Sequence, residues 1–257
     1  MIKENRIKKL LKEGKPVIGT FIKANDPAVV EVVAYAGFDF VIIDNEHTAM
    51  NIENMVNQIR AAELAGIVPT VRIKQKNAAD ILQALDAGAM GVQVPQVDTA
   101  EDALNVVKWA KYAPEGVRGY AASQRSAGYG FMDPVEYAKK SNENVIVVCY
   151  CETLECLNNL DEIVKIDGID VIFIGPFDLS QALGVIGQTK HPRVMEAIDT
   201  IIEKSRRAGK AVGIITSNAE DTRYWIGKGI QYFALSSDLG MIGSTGKSFI
   251  KELDSVR

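Results

Sequence analysis

The 257-residue chain is poor in the residues that most often announce a function: two histidines, three cysteines and two tryptophans, with a net charge of only −4 at pH 7. Each scarcity removes a class of protein. A slightly acidic chain with no basic stripe offers no surface for nucleic acid. The longest apolar runs, such as Val145 to Tyr150, fall far short of the roughly 20 residues a membrane-spanning helix needs. Met1 to Gly14 is a charged amphipathic start without a secretory apolar core. A cytoplasmic protein without a membrane partner is expected. Cys149, Cys151 and Cys156 are too few for a disulfide framework, and no second Cys/His group lies at zinc spacing, so they read as reduced packing residues.

What the chain does have is alternation. Short β-branched runs alternate with amphipathic helical stretches from end to end, the pattern that forces parallel strands with helices outside them. Eight runs are predicted as strands: Pro16 to Ile22, Phe40 to Asp44, Ile67 to Ile73, Met90 to Val94, Asn144 to Cys151, Val171 to Ile174, Ala211 to Thr216 and Gln231 to Ser236. Helices fit between them over Pro27 to Ala36 behind a capping Asp26, Ile52 to Ala65, Ala78 to Ala87, Ala100 to Lys111, Val135 to Lys140, Glu155 to Ile166, Pro192 to Ala208 and Glu220 to Gly227, with a last helix from Asp238. Eight such units in this length predict a single-domain (β/α)8 TIM barrel over residues 1–257; a doubly wound open sheet is the alternative with the same local pattern. The connection from Tyr112 to Asp133 is long enough for a lid or an oligomer contact. Gly243-Ser-Thr-Gly246-Lys247-Ser248 looks like a phosphate loop, but its glycine spacing is wrong and a helix should surround it.

In a barrel of this kind the active site is built at the carboxyl ends of the strands, so polar residues just past each run are the candidates. The second run ends Asp44-Asn45-Glu46-His47, the third contains Arg72, the fifth ends at Glu152 and the sixth leads into Gly175-Pro176-Phe177-Asp178. Glu152 and Asp178 come from consecutive strands, about 4.8 Å apart in such a sheet, so both carboxylates can reach one point. Two carboxylates with open positions suit a hard cation, Mg²⁺ or Mn²⁺. The plainer alternative makes Glu152 a helix cap and Asp178 a helix-start acid. His47 sits between Asp44 and Glu46 at a strand end, where a carboxylate can fix an imidazole's tautomer. Arg72 is a bidentate donor at the same rim, either for a ligand or for Asp44 and Glu46.

Taken in order, Asp44-Asn-Glu46-His47, Val71-Arg72, Leu85-Asp86-Ala-Gly88, Val94-Pro95, Tyr112-Ala-Pro114-Glu-Gly116-Val-Arg118-Gly119, Glu152-Thr and Gly175-Pro-Phe-Asp178-Leu-Ser resemble the HpcH/HpaI family of class II 2-keto-acid aldolases. The resemblance runs from about Gly19 to Gly213. It implies a carbon–carbon lyase that reversibly cleaves a 4-hydroxy-2-oxo acid to pyruvate and an aldehyde, through an enolate held by Mg²⁺, Mn²⁺ or Co²⁺. By that resemblance Glu152 and Asp178 hold the metal, and backbone N–H groups around Gly175, Phe177 and Asp178 hold the substrate carboxylate. Arg72 faces the enolate oxygen. His47, oriented by Asp44 and supported by Glu46, acts through a water as the base on the aldol hydroxyl. Asp86 approaches a neighbouring subunit's site in a homo-oligomer, a trimer or hexamer, to which the C-terminal helix contributes.

Three positions depart from the family's pattern: Tyr150 where a Gln is usual, Phe21 within the stretch where a Trp is common, and Phe177 where small residues are frequent. Parity along the strand puts Tyr150 on the face of Glu152, one layer deeper, as a candidate pocket residue. Other classes stay open. A Schiff-base aldolase would need Lys23 or Lys74; an acyl-CoA lyase of the citrate lyase β-subunit type would share the carboxylates; a non-catalytic 2-oxo-acid-binding relative would keep the site without turnover.

Overall fold

The computed structural model describes residues 4–254 as one closed parallel barrel, β1-β2-β3-β4-β5-β6-β7-β8, wrapped by helices. Residues 1–3 and 255–257 of the expected domain lie outside the described residues. The strands are β1 (Val17–Ile22), β2 (Phe40–Asp44), β3 (Val68–Arg72), β4 (Gly91–Val94), β5 (Ile146–Cys151), β6 (Val171–Ile174), β7 (Ala211–Thr216) and β8 (Tyr232–Ser237). All eight predicted runs are therefore strands, one or two residues shorter or shifted at some ends. The open-sheet alternative is excluded by the β1–β8 pairing, Val17 beside Tyr232, which closes the ring.

Eleven α-helices are present among the described residues: α1 (Arg6–Lys12), α2 (Pro27–Tyr35), α3 (Ile52–Ala65), α4 (Ala78–Asp86), α5 (Ala100–Ala110), α6 (Pro134–Asn144), α7 (Leu154–Ile163), α8 (Pro176–Ala182), α9 (Pro192–Arg207), α10 (Ala219–Gly227) and α11 (Asp238–Leu253). Asp26 caps α2 as expected, its side chain accepting from the Ala28 N–H at 2.9 Å. α6 is longer than predicted, α1 is not among the predicted helices, and α8 is foreshadowed only by the alternative that makes Asp178 a helix-start acid. Each of those two has only seven residues, too few to display a repeating apolar face. The 112–133 connection folds partly into a 3₁₀ segment, Arg125–Gly130. The phosphate-loop look-alike lies inside α11, where it is helix and not a loop.

Two apolar layers hold the fold. Between strands and helices lies a Val/Ile/Leu/Ala shell that includes all three free, buried cysteines. Inside the barrel lies an aromatic core of Phe21, Phe40, Tyr150, Phe173 and Tyr232. Glycines on β1 and β7 make room for it: a Cβ on Gly19 would stand 2.4 Å from the Phe40 ring, and one on Gly213 2.6 Å from that of Phe173. α1 closes the amino-terminal end, burying Ile7 completely, while Asn5 donates to the carbonyls of Met90 (2.9 Å) and Asn144 (2.8 Å). The opposite end is left for polar groups. No helix among the described residues is long and apolar enough to cross a membrane.

Candidate active site

The carboxyl ends of β2, β3, β5 and β6 bring four sequence-selected groups together. Asp44 and Arg72 are register partners on β2 and β3. Arg72 Nε donates to Asp44 Oδ1 at 2.9 Å and Nη2 to Oδ2 at 2.7 Å, while Nη1 stands 3.1 Å from Glu46 Oε2. Asp44, fully buried, also accepts from the backbone N–H groups of Glu46 (3.1 Å) and His47 (3.3 Å). Burial alone would raise its pKa; the hydrogen bonds and charge of Arg72 outweigh that and hold it below the usual carboxylate range.

This corrects one expectation. Asp44 does not orient the His47 imidazole, because its oxygens are committed to Arg72 and to backbone. The imidazole is instead largely exposed, with Nε2 at 3.8 Å from Glu46 Oε2. Flanking in sequence placed His47 and Asp44 on one turn, not in side-chain contact. For Glu46, burial is the largest influence and raises the pKa, against the lowering charges of Arg72 and His47.

Glu152 follows β5 and is 7% exposed. Oε1 accepts from the backbone N–H of Gln96 at 3.0 Å. Burial pushes its pKa up, the Gln96 bond pulls it down, and the negative charges of Asp178 and Glu46 push it up again, to about 7. Asp178 stands in the first turn of α8, behind Gly175 and Pro176. A Cβ on Gly175 would lie 2.7 Å from Glu152 Oε2 and 3.6 Å from Asp178 Oδ2. A side chain here would crowd the Glu152 carboxylate and stand in contact with that of Asp178, so glycine keeps the space beside both open. No set of three or more His, Cys, Asp or Glu that could hold a metal occurs among the described residues. Two hard oxygen donors line one recess, one of them a carboxylate that burial lifts, and that arrangement suits a divalent cation completing its shell with substrate and water.

Beside the pair, the first intrahelical bond of α8 runs from the Leu179 N–H to the Gly175 carbonyl at 2.9 Å. The N–H groups of Phe177 and Asp178 precede it and have no partner within the helix. Phe177 itself is 61% exposed and lines the adjoining cavity. That cavity, of about 950 Å³, is lined by Phe21, Lys23, Arg72, Tyr150, Glu152 and Asp178 and extends to α9 and α10. A second recess of about 160 Å³ is lined by Glu46, His47, Gln96, Glu152, Asp178 and Gln181.

Tyr150 forms part of the cavity floor. Its ring stacks on Phe173 at 4.5 Å, and its hydroxyl donates to Gln93 Oε1 at 2.7 Å. Gln93 in turn donates to Tyr232 (2.8 Å) and Thr70 (3.0 Å), so the phenol is tied into the barrel interior. The Arg72 guanidinium lies 4.6 Å from the Phe21 ring centre and 6.0 Å from that of Tyr150. Asp86 is elsewhere: at the carboxyl end of α4, at the far end of the barrel, it pairs with Arg118 at 2.6 Å and lines neither recess. Two participants escaped the sequence reading: Gln96, whose contribution is a backbone N–H, and Gln93, hidden inside β4. Lys23, weighed from sequence only as a Schiff-base lysine, stands 3.8 Å from Asp44.

The sequence model of the family described as HpcH/HpaI aldolase/citrate lyase matches residues 17–245. A hydroxypyruvate/pyruvate aldolase of Agrobacterium fabrum is 35% identical over 242 residues, covering 94% of this chain and 91% of that protein. A 4-hydroxy-2-oxo-heptane-1,7-dioate aldolase of Shigella sonnei is 34% identical over 245 residues, covering 95% and 93%. Among solved structures, the citrate synthase SbnG superposes with a TM-score of 0.88 at 33% identity, covering 96% of this chain and 97% of that one. Full-length matches of this kind, on a closed eight-stranded barrel with its acids gathered at the carboxyl end, establish that the chain belongs to the HpcH/HpaI aldolase/citrate lyase family and is an enzyme of the aldolase type.

Proposed function

We infer that the protein reversibly cleaves a 4-hydroxy-2-oxo acid to pyruvate and an aldehyde, at a site where Glu152 and Asp178 hold a divalent cation, Mg²⁺, Mn²⁺ or Co²⁺. The observation that carries this is the meeting of the two carboxylates across Gly175, beside Arg72 in one cavity. When bound, such a cation supplies Lewis-acid stabilisation of the negative charge that develops on the 2-oxo oxygen. The names of the A. fabrum and S. sonnei relatives and of the SbnG structure support chemistry that makes and breaks carbon–carbon bonds.

The residues of the chain divide the remaining work. The unpartnered N–H groups of Phe177 and Asp178 receive the substrate carboxylate. Arg72 has five N–H groups, three of them engaged by Asp44 and Glu46; the two left on Nη1 and Nη2 can face the enolate oxygen. As the C3–C4 bond breaks, its electron pair moves into the enolate and the C4 hydroxyl loses its proton. His47, exposed at the rim beside Glu46, takes that proton, and in condensation returns it. Asp44 holds Arg72 rather than the imidazole. The stacked Tyr150 and Phe173 close the floor against water. Lys23, next to Asp44, adds a second cation to the cavity wall.

The test is pyruvate methyl-proton exchange in D₂O, followed by condensation with a panel of aldehydes. Exchange with Mg²⁺ or Mn²⁺, lost on chelation, is expected. Exchange that persists in chelator with borohydride-trappable enzyme, or no exchange with any divalent metal, would overturn the reading. The same reading makes the chain a cytoplasmic protein and a homo-oligomer. The oligomer is supported by the run of exposed apolar side chains on α11, Leu239, Ile242, Phe249 and Ile250. A monomeric mass in solution would remove that part.

A further inference from the structure

Gln96 has a left-handed backbone, φ 52°, one residue past the Pro95 that follows β4. A non-glycine residue held there is strained and persists only where its surroundings enforce it. The conformation turns the Gln96 N–H onto Glu152 Oε1 at 3.0 Å. No other hydrogen-bond donor reaches this carboxylate among the described residues, so its orientation depends on that one backbone group.

The surroundings that enforce the turn come from two neighbouring strand ends. Lys76, from the connection between β3 and α4, donates from Nζ to the Gln96 carbonyl at 2.7 Å and to Asp102 Oδ2 at 2.7 Å. Asp102, in the first turn of α5, accepts in turn from the N–H groups of Asp98 and Thr99, each at 3.1 Å. On the other side, the Thr153 hydroxyl donates to Asp98 Oδ1, and Asn159 Nδ2 donates to the Asp98 carbonyl at 2.9 Å. Thr153 is the residue after Glu152. The connections after β3, β4 and β5 are thus tied into one unit around the carboxylate.

We propose that Lys76 and the left-handed Gln96 are a positioning device for Glu152, which fixes Oε1 so that Oε2 stays aimed across Gly175 toward Asp178 and thereby sets the affinity for a divalent cation. The proposal rests on the reading of Glu152 as a metal-holding residue. Without the ammonium, the Gln96 carbonyl loses its partner and the turn can relax to negative φ. That rotation swings the N–H off Glu152 and leaves a buried carboxylate free to change rotamer.

Mn²⁺ binding to chelator-stripped protein, followed by electron paramagnetic resonance with thermal denaturation alongside, tests the device without any turnover assay. Lys76→Met is expected to weaken Mn²⁺ binding by about 10-fold or more, the usual effect of losing an outer partner of a metal ligand, and Lys76→Arg to restore part of it. Gln96→Val should bind Mn²⁺ about 10-fold more weakly than Gln96→Gly, because glycine accepts positive φ and a β-branched residue resists it. Parental affinity in Lys76→Met overturns the proposal, as does equal affinity in the two Gln96 variants. If Lys76→Met does not fold, the Gln96 pair decides. Glu152→Gln keeps the two readings apart: Mn²⁺ binding by that variant at parental affinity removes the metal assignment itself, whereas its loss beside an unaffected Lys76→Met removes only the positioning device.

Discussion

Two buried carboxylates at the ends of β2 and β5, on the same rim of the barrel, meet opposite fates. Asp44 receives four donors, two from Arg72 and two from backbone, and its pKa is held down. Glu152 receives one, looks onto Asp178 and Glu46, and is pushed up to about 7. Burial raises both, so the difference lies in compensation. Asp44 is complete within the chain and serves as a brace for Arg72; Glu152 is incomplete and gains from any cation that arrives. The contrast separates the part of the site that organises from the part that binds.

The sharpest way to break the contrast is to neutralise Glu152. Glu152→Gln is expected to reduce aldol cleavage to background and to abolish tight Mn²⁺ binding, while making the metal-free protein more stable at pH 8. The sign follows from linkage. With a folded pKa of about 7 against the ordinary 4.5, the folded state holds the proton more tightly, so the stability it contributes is complete below 4.5 and lost as pH rises through about 7. The amide variant has no such loss. A gain of roughly 1–2 kcal/mol, or about 2–8 °C in Tm, is expected above pH 7.5 in chelator, shrinking toward zero at pH 4.5. A variant less stable than the parent at pH 8 would show that the charge is compensated after all.

Removing the compensation from Asp44 should do the reverse. Arg72→Met leaves that carboxylate buried without its cation, a change that costs about 3–5 kcal/mol, and on the proposed function it also removes the N–H groups that face the enolate, worth roughly 10²–10³-fold in rate. Denaturant titration together with kcat measures both. Asp44→Asn in the Arg72→Met background should recover a good part of the stability and none of the rate. Recovery of both would make Arg72 purely structural.

How much of this was legible before the fold was known differs between the two carboxylates. The barrel itself was, because short β-branched runs and amphipathic stretches alternate eight times, and strand-end acids at Glu152 and Asp178 follow from where such barrels put polar groups. The bracing of Arg72 by Asp44 was one of two readings of adjacent strand ends, and the register decided it. What sequence could not show is local geometry without a side-chain signature. Gln96 acts through a dihedral angle and an N–H. Asp44 and His47 are three residues apart, yet Asp44 turns inward to Arg72 and the imidazole turns to solvent. Parity put Tyr150 inside the barrel but could not name Gln93 as its hydroxyl's partner. The seven-residue α1 and α8 are too short for any periodicity to declare.

A narrower test concerns His47, which belongs to neither carboxylate. Since Asp44 does not hold the imidazole, Asp44 should matter to the base only through the turn, and His47→Ala should leave Tm nearly unchanged. Aldol cleavage should fall by about 10²-fold or more, as for a lost general base. Oxaloacetate decarboxylation, which passes through the same enolate but removes no hydroxyl proton, should fall much less. Equal losses in the two reactions would assign His47 to substrate or metal binding.

The smallest effect is expected at Tyr150, and it sharpens the comparison by asking whether the floor beneath Arg72 is organising or binding. The hydroxyl is spent on Gln93 and the ring on Phe173, so the side chain offers the cavity a flat apolar surface, not a donor. Tyr150→Phe keeps the ring and leaves Gln93 Oε1 short of a partner in a dry interior, a cost of roughly 1–2 kcal/mol in stability, with kcat/KM little altered for every aldehyde. Tyr150→Gln removes the ring, opens space under the guanidinium and gives up the face that packs near Arg72. It should raise kcat/KM for longer aldehydes relative to short ones by a few-fold, or about 1 kcal/mol, and lower Tm by more than Tyr150→Phe does. Kinetics over three aldehydes of increasing length, with Tm for each variant, separate the outcomes. A Phe variant that loses turnover at parental stability would show that the hydroxyl reaches the reaction and that the floor belongs to the binding half of the site.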